Sequence, residues 1–224
     1  MTTATTIERQ ALTKAKGGVV LYAVAWSDYE RIGQIFCDQP IRLTYDRGTL
    51  EIMSTSFRHE RRKAWLRKMI DALAEELRID IASGGSMTFQ RKAKQKGLES
   101  DECYWIQHEA EVRGRDEITL ENAPPPDLVL EVEVSRSVLS RIGIYASFAV
   151  PEVWRCRQKA IRVVRLVEGK YQVAERSAAF PFLNPTALLP FLNLPPDVSE
   201  VEMIRRFRDW VRQQQSTGWP AGGV

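Results

Sequence analysis

In the run PPPDLVLEVEVS, residues 124 to 135, two glutamates stand two apart inside an otherwise apolar stretch. Residues two apart in a strand share a face. Asp127, Val129, Glu131 and Glu133 therefore fall on one side, and Leu128, Leu130, Val132 and Val134 on the other. A strand with one wet face gives the same alternation, and that reading stands beside the functional one. Two considerations weigh against it. The flanking helical and strand patterns point to α/β architecture, which usually covers both sheet faces. Adjacent like charges also repel, and burial raises their pKa values. A hard cation, Mg²⁺ or Mn²⁺, removes that cost because carboxylate oxygens are its natural ligands. Glu131 and Glu133 thus read as half of a metal site.

The other half has to come from elsewhere. ESDECYWI offers Glu99, Asp101 and Glu102 at the mouth of a strand, with loop solvation as the plain alternative. Glu60, in the first turn of a long basic helix, is a third contributor, although its favourable position on the helix dipole is reason enough for an acid there. Other chemistries fare worse. The GGS at 84 to 86 runs into a strand pattern rather than a Lys-Ser/Thr helix start, so it is no phosphate loop. GxSxG is absent, neither His59 nor His108 has an evident nucleophile partner, and Cys103 reads as an apolar core cysteine.

The elements that must position these groups can be read from hydrophobic period and turn residues. VVLYAVAW predicts a strand and SDYERIGQIF a helix capped by Ser27. IRLTYDRGTLEIMS predicts a hairpin whose strands meet at Asp46-Arg47-Gly48. From about His59 to Arg78, Trp65, Leu66, Met69, Ile70, Leu73 and Leu77 recur at helical spacing. Arg58, Arg61, Arg62, Lys63, Arg67 and Lys68 cover much of the remaining N-terminal half, as a solvated face or a phosphate-tracking one. SMTFQRK and the end of KQKGLESDECYWI predict two strands. The proline triplet at 124 to 126 delivers the chain extended into DLVLEVEV. SRSVLSRIGIYASFAV predicts a helix begun by Ser135 or Ser137. VPEVWRC, AIRVVRLVEG and KYQVAERS predict three strands, and SEVEMIRRFRDWVRQQQ a final amphipathic helix.

The chain has 224 residues, 44% of them hydrophobic and 27% charged, which suits one globular domain with a proper core. Residues 1–18 and 214–224 read as flexible ends around a single domain at 19–213. A net charge of +3 permits nucleic-acid contact without announcing it. Cys37, Cys103 and Cys156 are few, odd in number and free of metal-ligand spacing, which predicts a reduced, cytoplasmic protein. MTTATTIERQALTKAKGG has no apolar stretch suited to a signal peptide, and no run predicts a membrane span. The hairpin near 41 to 53 and the C-terminal helix are candidate surfaces for a homodimer.

GSMTFQRKAKQKGLESDECYWIQ, PPPDLVLEVEVSRSVLSRIGIYASFAVPEVWRC, ERSAAFPFLN and FRDWVRQ together resemble the Uma-type restriction-endonuclease-like proteins of cyanobacteria and other bacteria. The resemblance runs from about Val19 to Arg212 and is strongest in the central blocks. It implies a PD-(D/E)XK nuclease fold: a mixed central sheet flanked by helices, here with peripheral β-hairpins, binding Mg²⁺ through acidic residues. The family's aspartate on one strand and glutamate on the next map to Asp101 and Glu131. Its proline before that aspartate is Ser100 here. Asp127 matches a second Pro-Asp pair, as a ligand or as a strand-entry cap. The lysine that such a site carries two residues after the glutamate is Glu133 in this chain. The basic residue on the following helix is Arg141, four before Tyr145.

The resemblance implies metal-dependent hydrolysis of DNA. Asp101 and Glu131, with Glu133, would hold the ion, which polarises a phosphate and lowers the pKa of a bound water. Arg141 would neutralise developing charge, although a permanently protonated guanidinium is no base. Glu60 would hold a second ion or a water. Arg62, Lys63, Arg91, Lys92, Lys94 and Lys96 would meet backbone phosphates, which carry no sequence information. The rival reading is a nuclease-fold protein that binds nucleic acid without cleaving it, supported by Glu133 and Arg141 in place of the lysine arrangement.

Overall fold

The computed structural model of the chain describes residues 13–15, 18–37, 39–134, 137–193 and 195–219. In order they form β1 (Thr13–Ala15), β2 (Gly18–Leu21), α1 (Trp26–Ile35), β3 (Ile41–Asp46), β4 (Thr49–Ser54), α2 (Phe57–Leu77), β5 (Ala82–Ser83), β6 (Thr88–Arg91), β7 (Lys96–Glu99), β8 (Glu102–Trp105) and α3 (Glu109–Val112). There follow β9 (Leu128–Val132), α4 (Arg141–Ser147), β10 (Glu152–Arg157), β11 (Ala160–Val167), β12 (Lys170–Ala174), α5 (Leu189–Leu192) and α6 (Glu200–Ser216).

The strands make two six-stranded sheets, ordered β1-β2-β4-β3-β7-β6 and β12-β11-β10-β9-β8-β5. The first sheet is antiparallel. The second is mixed, since β9 pairs parallel with β10 across a connection that contains α4. This is the α/β architecture that the patterns predict, with the mixed sheet flanked by helices that the resemblance implies. The β3–β4 hairpin lies outside the mixed sheet, in the middle of the antiparallel one. Its two-residue turn needs positive φ at both positions, which Arg47 (45°) and Gly48 (87°) supply.

β9 is buried on both faces, which explains why its sequence is nearly continuous apolar. Leu128, Leu130 and Val132 meet Leu66, Met69, Ile70, Leu73 and Leu77 of α2, with Met203, Phe207 and Val211 of α6 behind. Each such fully buried side chain contributes about 1.5–3 kcal/mol. Val129 faces the other way, into a second core with Phe89 and Leu98 of the first sheet and Tyr145 of α4. A third core packs Trp26 and Tyr29 of α1 on Leu43, Tyr45 and Leu50.

Helix α2 starts where Ser56 accepts a hydrogen bond from the His59 amide (3.2 Å). It stops at Arg78, left-handed at φ 55°, with Ile79 N–H donating to the Ala74 carbonyl at 2.9 Å. Other boundaries differ from expectation. Ser27 lies inside α1, whose N-cap is Ala25, and Ser27 is not its cap. Helix α4 begins only after Ser140, which accepts from Gly143 N–H at 3.2 Å. Ser137 serves Glu51 instead, and Ser135 lies outside the described residues. Helix α6 reaches Ser216, and Trp219 packs on Trp210 (5.2 Å) and Phe182 (4.9 Å), so ordered packing extends into the segment placed in the C-terminal tail. Neither surface named for a homodimer is free as supposed, because β3 and β4 are paired on both edges and α6 buries its apolar stripe on α2. Cys37 is exposed, Cys103 and Cys156 are buried, and all three are free thiols. Among the described residues no helix is long and apolar enough to cross a membrane.

Candidate active site

The chain passes from the first sheet to the second between β7 and β8, across Ser100 and Asp101 alone. β8 pairs with β9 in the register Glu102 to Leu130. One step further along that ladder, Asp101 comes opposite Glu131. Both are deeply buried, with 0% and 5% exposure. Two carboxylates in such a place need strong partners, because an unpaired buried charge is costly.

Glu131 has a bidentate one. Arg141 donates from Nε to Oε2 (3.0 Å) and from Nη2 to Oε1 (2.7 Å), and the Tyr145 hydroxyl also donates to Oε1. Arg141 and Tyr145 are four apart on α4, so the helix presents them on one face. Burial acts upward on the Glu131 carboxyl, but the Arg141 charge and hydrogen bonds outweigh it and hold the group below the usual carboxylate range. Burial beside that carboxylate pushes the Tyr145 phenol up, which keeps it a donor. Arg141 is itself held by Thr44 Oγ1 (2.8 Å) and the Glu99 carbonyl. Glu51, fully buried on β4, accepts from the Ser137 hydroxyl and from Val138 N–H (2.8 Å), fixing the loop that leads into α4.

Asp101 is gripped from three directions. Arg42 of β3 lies against Oδ1, while His59 Nε2 (3.2 Å) and the Val132 amide reach Oδ2. His59 Nδ1 lies 3.0 Å from Glu60 Oε1, so the imidazole bridges Asp101 to Glu60. Burial and the nearby Arg42 charge push the His59 pKa down. The ring is therefore neutral near pH 7, and a neutral imidazole donates to only one of its two carboxylate neighbours. For Glu60, burial is outweighed by His59 and Lys63, which hold its carboxyl low. Burial pushes the Glu99 and Glu102 carboxyls up.

Several expected site residues are engaged by other partners. Glu133, one residue past β9, lines the same cavity as Glu131, and its oxygens lie against Arg155 and Arg157 (2.6 Å for the latter). Asp127, at the far end of β9, is a strand-entry cap: it accepts from Ile106 N–H (2.7 Å) and His108 N–H (3.0 Å) and holds the His108 ring. The basic residues expected on phosphates are largely spent within the fold. Arg62 donates to the carbonyls of Arg157 (2.9 Å) and Gln158 (3.1 Å), and Lys63 to Ser86 Oγ (2.6 Å). Arg91 serves the Leu120 carbonyl (3.0 Å), Lys94 the Ser147 carbonyl, and Lys96 Nζ lies 3.9 Å from Asp46. Lys92 stays exposed.

The cations that do face the carboxylates are others. A cavity of about 770 Å³ is lined by Arg42, His59, Glu131, Arg141, Arg155 and Arg157. A second, of about 910 Å³, holds Glu60, Lys63, Gln90 and Glu99, and shares Arg42 and Thr55 with the first. Arg42 and Thr44 were missed, although IRLTYD carried a signal for them. They stand two apart, opposite the apolar Leu43 and Tyr45 that cover α1, and Thr44 pairs with Glu51 across the hairpin. The face of the first sheet away from α1 is polar at Arg42, Thr44 and Glu51, and apolar at Leu98 and Phe89, which meet Val129. Among the described residues, no three His, Cys, Asp or Glu side chains gather as a metal-ligand set.

A family model named Uma2, described as "Putative restriction endonuclease", matches residues 26–197. A crystal structure described as that of "a putative nuclease" from Anabaena variabilis is similar at a TM-score of 0.43 and 11% identity, covering 74% of this chain and 90% of that one. Comparison with curated proteins gave no match.

Proposed function

The chain belongs to this Uma2 restriction-endonuclease family, and from that premise we propose that it hydrolyses DNA phosphodiester bonds at Asp101 and Glu131. The observation that carries the reading is Glu131 in an arginine-lined cleft, with Asp101 buried opposite it one step beyond the β8–β9 ladder.

Nucleases of this kind generally use divalent metal ions, and two carboxylates are the donor chemistry such an ion takes. The residues as arranged do not fit one: each of the four oxygens already faces a nitrogen or a hydroxyl. The chain's own groups supply the rest. Arg155 and Arg157 meet the phosphate backbone at the cleft wall, and Arg141 neutralises charge that develops on the phosphoryl oxygens. His59 holds Asp101 and Glu60 in place through its two ring nitrogens.

The test is cleavage of plasmid and single-stranded DNA with Mg²⁺ or Mn²⁺ by the wild type, Asp101→Ala and Glu131→Ala. The wild type should cleave and both variants should lose at least 100-fold. A second reading, binding without cleavage, is favoured by Glu133 standing where a nuclease lysine belongs. Salt-dependent DNA binding by a wild type that cleaves with neither metal would select it.

A further inference from the structure

Phe57, at the first position of α2, is 82% exposed, more than any other large hydrophobic side chain among the described residues. Its neighbours place it where the two cavities meet: Thr55 lines both, Ser56 the smaller and Glu60 the larger. Arg61, four residues on, shares its helix face and is also exposed, with the guanidinium 4.4 Å over the Trp65 ring. Phe57, Arg61 and Trp65 thus follow one another as flat groups along one edge of the helix. On the next face Arg58 stands with Arg62, whose Nη2 donates to the Arg157 and Gln158 carbonyls. The β10–β11 turn, with Arg157 and Lys159 exposed, therefore lies beside Arg58. Among the described residues, neither Arg58 nor Lys159 has an ion-pair partner. Val134 and Val138, both exposed, add an apolar rim to the smaller cavity.

We propose that Phe57 is a stacking platform for an unpaired nucleobase, and that the cleft accordingly takes a single strand in preference to a duplex. This rests on reading the cleft as a nucleic-acid site. An aromatic ring in water is stabilised when it is covered, and every base carries a π face that can cover it. In a duplex both faces of each base are already stacked on neighbours, so the ring meets only backbone. In a single strand the base is free to turn onto it. Arg58, Arg157 and Lys159 meet the phosphates on the adjoining surface without reading sequence. Arg61, backed by Trp65, offers the outer face of its guanidinium to the next base. Charge decides between this occupant and an apolar protein surface. The unpaired cations beside the ring match a polyanion that also carries flat apolar groups.

The test reads binding, not cleavage. Fluorescence anisotropy of the full chain at one salt concentration compares a labelled oligothymidine, its duplex with the complementary strand, and an abasic strand that keeps the phosphates. The wild type should bind the single strand at least about 10-fold more tightly than the duplex. Phe57→Ala should weaken single-strand binding at least about 5-fold, the effect of losing one stacked base, and change duplex and abasic binding by less than about 2-fold. Phe57→Trp, which enlarges the face, should bind the single strand at least as tightly as the wild type. Arg58→Gln should weaken all three, the abasic strand included. Equal single-strand affinity of wild type and Phe57→Ala, an equal loss on all three ligands, or a wild type that prefers duplex overturns the proposal. So does a dimer in sedimentation that Phe57→Ala dissolves without changing single-strand affinity, which assigns the ring to a second copy of the chain. A base-dependent loss in a wild type that cleaves no DNA leaves the inference standing and removes the hydrolysis reading. Cleavage by a Phe57→Ala variant that binds the single strand like wild type does the reverse.

Discussion

Replacing Glu131 with Gln keeps the shape of the side chain and removes its charge. The carboxylate is 7% exposed and Arg141 is 15% exposed, so the guanidinium would stay buried with no anion against it. Breaking a buried pair by removing one partner costs about 3–5 kcal/mol. At roughly 2–4 °C per kcal/mol for a chain of this size, the melting temperature should fall by roughly 6–20 °C. Arg141→Met should cost a similar amount by stranding the carboxylate. The double variant should cost far less than the sum, because replacing both partners leaves no lone charge. The assay is urea unfolding of the four proteins at pH 7, giving a coupling energy of at least about 2 kcal/mol. The effect also has a signed pH dependence. The folded Glu131 carboxyl is held below the usual carboxylate value by Arg141, against its own burial. The unfolded chain therefore takes up its proton first, and the contribution, fully present above the unfolded pKa of about 4.3, is lost as pH falls through the lowered folded value. Glu131→Gln within 1 kcal/mol of wild type, or additive single variants, would refute the claim that this pair is buried and mutually dependent.

Ser56→Ala removes the cap of α2 and should cost about 1 kcal/mol in urea unfolding. Glu133→Gln frees Arg155 and Arg157 from their shared carboxylate. Fluorescence anisotropy should show tighter duplex binding, with a salt slope steeper by about 1–2. Glu102 lies 4.0 Å from Lys63 and 3.9 Å from Arg67, yet its other oxygen is buried without a partner, and burial holds its carboxyl above the usual range. Its folded state binds the proton more tightly, so its stabilisation is complete below the unfolded pKa and is lost as pH rises through the folded value. Glu102→Gln, neutral throughout, should match wild-type thermal stability near pH 4 and exceed it at pH 8.

The parts of the site that were legible in the sequence are those carried by local pattern. Strand alternation put Glu131 and Val129 on one face of β9, and helical spacing gave α2. The adjacency of β8 and β9 followed from the resemblance, which sets the aspartate on one strand and the glutamate on the next. Arg42 escaped because its role depends on which sheet lies across from which, and no periodicity within IRLTYD specifies that. The basic residues misled for a related reason. Arg62, Lys63 and Lys94 look free in a linear reading, but backbone carbonyls and a serine from distant segments absorb their donors. Glu133 lines the same cavity as Glu131, as alternation has it, but the pattern does not show that β10 arginines occupy its oxygens.

The two-residue passage through Ser100 and Asp101 makes the length of that connection as important as its composition. A single inserted residue would hand β8 to β9 with every side chain turned over, sending Tyr104 toward α4 and Trp105 toward α2. The same insertion would carry Asp101 away from Arg42, since one belongs to the joint and the other to the sheet behind it. Tolerance to insertion should therefore drop to nothing across residues 99 to 102, even though a connection between two sheets is where a chain is ordinarily most forgiving. In this molecule the joint carries one of the two site carboxylates, so its length is fixed by the site as well as by the sheets.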